Sequence, residues 1–196
     1  RLSWNDEIVA TLSPPEQRIG SAKITPPPGS FLQATQHGET SLIETVGNIL
    51  KSASPVLDLF SGCGTFSLPL AQMAEIHAVE GEADMLAALD KAWRKTQGLK
   101  KISHEKRDLF RRPLLPDELN KFEAAVIDPP RAGAEAQVTM LAKSTIKTLA
   151  YVSCNPVSFA RDAKILTDAG YSLEAVTPVD QFRWSYHVEL VGAFHK

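Results

Sequence analysis

Cysteine is scarce in this chain: Cys63 and Cys154 are the only two among 196 residues. Two thiols rule out a disulfide framework, and no Cys/His cluster has the spacing of zinc ligands. Long apolar runs are lacking as well, so nothing reads as a membrane span or a signal peptide, and a cytoplasmic location is expected. A basic surplus is also missing. Lys and Arg number 21 against 23 Asp and Glu, giving a formal net charge of −2, whereas a free-standing nucleic-acid binder usually carries a basic excess. Affinity for a polyanion therefore has to reside in a local patch or in another domain. The first residue is Arg1 rather than Met, which reads as a piece of a longer protein.

What is present suffices for one core, since 43% of the residues are hydrophobic. Residues 1–25 read as short strands about a turn at Ser13-Pro14-Pro15-Glu16, and the run Pro26-Pro27-Pro28-Gly29-Ser30 interrupts regular structure. Residues 1–27 are accordingly expected to be an appendage, and residues 28–196 the main domain. Strands are expected at 55–60, 76–80, 102–107, 124–128, 148–153, 171–179 and 187–194, with helices at 65–74, 82–97, 135–143 and 157–169. Alternation of strand and helix implies a parallel sheet covered on both faces. The last two strands have no helix between them, so the final one is expected to be antiparallel.

Ligands of such sheets bind beyond the carboxyl ends of the strands. The first strand ends in Asp58-Leu59-Phe60-Ser61-Gly62-Cys63-Gly64-Thr65, where glycines permit a tight turn and a close ligand approach. Glu80 closes the second strand, where a carboxylate accepts hydrogen bonds from both hydroxyls of a ribose. That suits NAD and an adenosyl sulfonium equally, and the extra acid Asp58 favours the cationic one. Asp108, after the third strand, is either an adenine contact or a turn cap.

The fourth strand delivers Asp128-Pro129-Pro130-Arg131, a stiff loop that points to a methyltransferase site for a planar base; the competing reading is a rigid turn with a solvated acid. The fifth ends in Ser153-Cys154-Asn155-Pro156, where a helix N-terminus and a nearby arginine would favour a thiolate. Glu189 lies in an apolar strand, where burial would raise its pKa toward that of a useful base, unless it faces solvent from an edge. Phe182 and Trp184 are candidates either to stack on a base or to pack in the core. Nine basic residues between Lys91 and Arg112 are either phosphate contacts or a solvated face.

Together these segments, with Phe31-Leu32-Gln33 and His187-Val188-Glu189, resemble the uridine-carbon-5 RNA methyltransferase family from about Pro28 to the C-terminus. The resemblance implies an α/β, Rossmann-like class I fold with a seven-stranded mixed sheet whose last strand is antiparallel. It implies S-adenosylmethionine as cofactor, held at Gln33, Phe60, Thr65, Glu80 and Asp128, to which the reading of the strand ends above adds Gly62 and Asp108. It further implies Cys154 as nucleophile, Glu189 as the base that removes the carbon-5 proton, and RNA as the partner, ribosomal RNA more than transfer RNA. Arg131 is a candidate to stabilise an enolate on the substrate; no metal is implied. The family often carries Asn where this chain has Thr35 and Thr65, and its usual N-terminal RNA-binding domain is not in this sequence, so another domain is expected to supplement RNA affinity. A cytosine-carbon-5 enzyme usually adds a cysteine after the fourth strand, and an adenine amino-methyltransferase an aromatic after Asp-Pro-Pro; neither is found here. A silent cofactor- or RNA-binding module remains the third reading.

Overall fold

A computed structural model describes residues 1–5 and 7–196; residue 6, inside the expected N-terminal strand segment, lies outside the described residues. The chain opens with two antiparallel hairpins. The first pairs β1 (Leu2–Trp4) with β2 (Glu7–Ala10), and the second pairs β3 (Gln17–Ile19) with β4 (Ala22–Ile24). Ser13-Pro14-Pro15-Glu16 falls between them. The second hairpin buries Ile19, Ala22 and Ile24 in the main core. At about 1.5–3 kcal/mol for each large aliphatic side chain buried, this hairpin belongs energetically to the body of the protein, although the Pro26–Pro28 run separates it along the chain.

The body follows as α1 (Gln36–Ile49), β5 (Val56–Leu59), α2 (Ser67–Leu70), β6 (Ile76–Glu80), α3 (Ala83–Lys95), β7 (Ile102–Lys106) and α4 (Pro116–Leu119). Then come β8 (Ala124–Ile127), α5 (Glu135–Ala142), β9 (Thr148–Ser153), α6 (Pro156–Asp168), β10 (Ser172–Val179) and β11 (Glu189–His195). Strands β5 to β11 form one seven-stranded sheet in the order β10-β11-β9-β8-β5-β6-β7. The β5–β9 strands pair in parallel, and β11 inserts antiparallel between β9 and β10, as the missing crossover helix implies. The chain leaves β5 first toward β6 and β7, then returns to β8 and β9, so the switch point lies between β5 and β8.

Each sheet face is covered. Leu42 and Val46 of α1, Leu86 and Leu89 of α3 and the β3–β4 hairpin pack one side, while Val138 and Leu141 of α5 and Phe159 and Leu166 of α6 pack the other. Gly192 in β11 is what brings α6 close: a β-carbon there would lie 2.7 Å from the Phe159 ring. Three helices differ from the sequence reading, the short α4 among them, which that reading does not contain. Helix α1 is absent from it, although Thr35 caps the helix by accepting from the Gly38 amide at 3.0 Å. The helix expected at 65–74 shrinks to Ser67–Leu70, because Pro69 has no N–H to offer the Thr65 carbonyl.

Candidate active site

A cavity of about 850 Å³ opens beyond the carboxyl ends of β5 to β9, at the switch point. Each of the ten residues singled out from the sequence lines it: Gln33, Phe60, Gly62, Thr65, Glu80, Asp108, Asp128, Arg131, Cys154 and Glu189. Strand order explains the gathering. Residues that follow parallel neighbours emerge at one edge, and the reversed β11 starts where β9 ends, with Leu190 opposite Ser153. Glu189 is thereby set beside the Cys154 loop.

At one end, the turn after β5 has left-handed backbone at Phe60 (φ 62°), Gly62 (φ 53°) and Gly64 (φ 94°). A β-carbon on Gly64 would also sit 2.4 Å from Leu89, so this glycine is required by packing as well as by conformation. Glu80 fastens the turn: Oε2 accepts the Gly62 amide at 3.0 Å and Oε1 the Glu82 amide at 3.0 Å. Each carboxylate oxygen keeps a second acceptor site for a ligand hydroxyl. The Ser61 hydroxyl on the cavity wall is buried with no partner among the described residues, an unmet polar group where the amino-acid end of a cofactor would fit.

Asp58 does not line the cavity. It is fully buried, its Oδ2 accepts the Ser67 hydroxyl at 2.6 Å, and its Oδ1 is unpartnered. Burial pushes its carboxyl up to about 7. Asp108 caps the next turn, its Oδ1 accepting from the amides of Phe110 (3.0 Å) and Arg111 (3.2 Å) while it still faces the cavity. The turn-cap reading of Asp108 is therefore observed, and its place on the cavity wall leaves it within the candidate site.

At the reactive end, Asp128 is pushed up to about 8 by burial first, then by the charges of Glu189 and Asp58. Glu189 is only 3% exposed. It sits on an internal strand, which removes the solvated-edge reading, and burial raises its carboxyl above the ordinary range. Burial also raises the Cys154 thiol, followed by the charges of Glu189 and Asp128, with Arg131 acting in the opposite direction. This runs against the sequence expectation of a favoured thiolate: burial first, and the two carboxyls after it, outweigh the single arginine. A cationic ligand in the cavity would relieve all four groups together.

The loops carrying Arg131 and Cys154 are tied to each other. The Arg131 carbonyl accepts from Asn155 Nδ2 (2.9 Å) and from the Ser158 hydroxyl (3.0 Å). Buried Asp162 accepts from the Ala134 amide (2.7 Å) and the Tyr151 hydroxyl (2.5 Å), and Arg161 reaches the Ala132 carbonyl at 3.0 Å. Sequence reasoning missed this scaffold, and also Gln181, whose amide donates to Gln33 Oε1 at 2.6 Å across 148 residues. A helix N-cap in Asn-Pro and the Arg-Asp pair on α6 were the available signals. Among the nine basic residues from Lys91 to Arg112, Arg94 pairs with Asp90, Arg107 with Glu105 and Glu118, and Arg111 with Asp108, so three of the nine have acidic partners within the fold.

Comparison with known proteins agrees with this geometry. The profile described as tRNA (Uracil-5-)-methyltransferase matches residues 21–195. The chain is 53% identical over its whole length to an uncharacterized RNA methyltransferase of Mesorhizobium japonicum, covering 48% of that protein. It is 35% identical to the 23S rRNA (uracil(1939)-C(5))-methyltransferase RlmD of a Shewanella species, over 85% of this chain and 38% of that one. The chain thus spans about half the length, or less, of these relatives. Among solved structures, the Pyrococcus abyssi tRNA (uracil-54, C5)-methyltransferase in complex with S-adenosyl-L-homocysteine is 25% identical with a TM-score of 0.78, over 91% of this chain and 43% of that one. The chain belongs to the tRNA (uracil-5-)-methyltransferase family.

Proposed function

We infer that this chain is the catalytic part of an S-adenosylmethionine-dependent enzyme that methylates carbon 5 of a uridine in RNA, acting in the cytoplasm. One observation carries the reading: Cys154 and Glu189 line the same cavity as the Phe60–Thr65 turn and Glu80. Gln33, Phe60, Gly62, Thr65, Glu80, Asp108 and Asp128 would hold the cofactor, with the Ser61 hydroxyl among its polar contacts. Three carboxyls, Asp58, Asp128 and Glu189, each raised by burial, suit a ligand that brings positive charge. When bound, the cofactor supplies an electrophilic methyl group on a sulfonium.

Carbon 5 of uracil is a weak nucleophile. Once the Cys154 thiol has given its proton to solvent, attack of the thiolate on carbon 6 moves the ring π electrons onto carbon 5 and the carbon-4 oxygen, giving an enolate. Arg131, on the cavity wall, would donate to that oxygen. Carbon 5 then takes the methyl group, Glu189 removes the carbon-5 proton, the carbon 5–carbon 6 double bond re-forms, and the Cys154 sulfur leaves. The raised carboxyl of Glu189 makes it a stronger proton acceptor than an exposed glutamate. The target base must leave its stack to enter the cavity, so single-stranded loops are the substrates. Ribosomal RNA is favoured over transfer RNA by the RlmD relative, and the missing half of the longer relatives supplements RNA affinity. Residues 1–27 are read as an appendage of the catalytic body at 28–196, docked on it through the β3–β4 hairpin.

The test is tritium release from RNA labelled at carbon 5 of uracil, with the full-length protein and S-adenosylmethionine. Release should match methyl incorporation one for one. Methylation without release would overturn carbon 5 as the target.

A further inference from the structure

The loop between β10 and β11 carries aromatic surface that the chemistry above does not use. Phe182 and His187 line the cavity. Tyr186 lies against His187 with ring centroids 4.4 Å apart, and Phe182 meets the same imidazole edge-on at 6.3 Å. Beyond this run Trp184 is wholly exposed, and Tyr186 is 90% exposed. Trp184 also has φ 65°, a conformation that bulky residues avoid and that marks functional segments. The loop is nevertheless ordered by its own bonds: Phe182 N to Asp180 Oδ1, Ser185 N to the Phe182 carbonyl and His187 N to Ser185 Oγ, each 3.1 Å. Arg183 in the loop and Arg131 across the cavity are both exposed, and neither is in an ion pair among the described residues.

Drawing one base into a cavity leaves its neighbours with bare faces in water, and a strand in that state gains most from flat rings beside the opening. The free Arg183 guanidinium, between Phe182 and Trp184 in the loop, matches the phosphates that join the bases. We propose that the β10–β11 loop is the platform for the single-stranded RNA flanking the target uridine, with Trp184 and Tyr186 stacking on adjacent bases and Arg183 meeting the backbone. This rests on the uridine reading above and adds the path of the strand. A protein segment covering the same rings is the competing occupant; the patch's continuity with the cavity and its unpaired arginines favour RNA.

The experiment uses full-length protein, a labelled methyl donor and total RNA from cells lacking the enzyme. Trp184→Ala and Tyr186→Ala should each raise KM for RNA about 5- to 100-fold while kcat at saturating RNA and cofactor affinity stay within about twofold of wild type. Trp184→Phe should recover most of the loss, since it keeps a ring. Trp184 emission, taken as the difference between wild type and Trp184→Phe, should be quenched by added RNA. Unchanged KM in both alanine variants, or a Trp184 already shielded from acrylamide before RNA is added, overturns the platform and leaves the uridine reading standing. Label that enters RNA as a product other than 5-methyluridine, or fails to enter with any of the proteins, removes that reading and the platform with it.

Discussion

Asn155 and Arg131 are joined by a hydrogen bond from the asparagine amide to the arginine carbonyl, 2.9 Å long, while Asn155 Oδ1 caps α6 by accepting the Val157 amide at 3.1 Å. One side chain thus starts a helix and fixes the distance between the Asp-Pro-Pro-Arg loop and the cysteine loop. Asn155→Ala should lose about 1–2 kcal/mol of stability in urea unfolding, the usual cost of a lost cap. It should also lower kcat more than it alters cofactor affinity, because the two loops separate. Asn155→Asp keeps the cap and loses the clamp; normal turnover in that variant would show that the clamp is dispensable.

The acids of the cavity make cofactor binding a proton-linked event. Asp58 titrates near 7 and Asp128 near 8, so both hold protons in part at neutral pH. A cation lowers both values, and protons leave as it binds. Affinity for S-adenosylmethionine should therefore rise as pH goes from 6 to about 7.5, below the range in which the ligand's own α-ammonium loses its proton. Calorimetry at pH 7 in two buffers of different ionisation enthalpy should report net proton release. Uptake would contradict the assignment.

Cys154 should alkylate with iodoacetamide at an apparent pKa above that of an ordinary thiol. Arg131→Met, which removes the one opposing charge, should move it further up; Asp128→Asn should move it down. Cys63→Ser is a suitable background for mass spectrometry, because Cys63 is buried. Identical profiles for all three proteins would mean that these charges do not reach the thiol.

With the nucleophile present and the base gone, methyl transfer precedes a step that cannot finish. Glu189→Gln should accumulate a protein–RNA adduct that survives denaturing electrophoresis and carries the donor's methyl label. Cys154→Ala should form none and should bind cofactor as wild type does. Normal turnover by Glu189→Gln, or an adduct mapping to Cys63, would sink the mechanism.

Glu80→Gln should weaken cofactor binding by about 1.5–3 kcal/mol and leave RNA binding intact. The amide cannot accept from both the Gly62 and Glu82 N–H groups, so the glycine turn loses its fastening as well as a charge. Equal cofactor affinity by calorimetry would exclude Glu80 from that role.

Much of the fold was legible because short apolar strands stopped at polar, chemistry-bearing residues, and a parallel sheet sends such residues to one edge. Glu189 was legible for the opposite reason, as a charge in a strand with nothing polar around it. Helix α1 escaped because Gly38 and Gly47 dilute its pattern, although Leu42 and Val46 bury fully. Gly38 is there for packing: a β-carbon would lie 2.4 Å from Gln181 Oε1, a contact between segments far apart in sequence. The state of Cys154 escaped for the same kind of reason. Its helix end is local and visible in the sequence, but the carboxyls that raise it arrive from β8 and β11.

The contact of Gly192 with Phe159 bears on how the gene can change. A shift of β11 by one residue would press a side chain into that ring and turn Glu189 to the other face of the sheet. A codon gained or lost at residues 183–185, where the chain is exposed, alters the loop itself but leaves the register of the strand beyond untouched. Between 189 and 192 a single codon added or removed breaks the site, even if the protein still folds. Length variation among descendants of this sequence should therefore collect in the loop and be absent from the four residues after it.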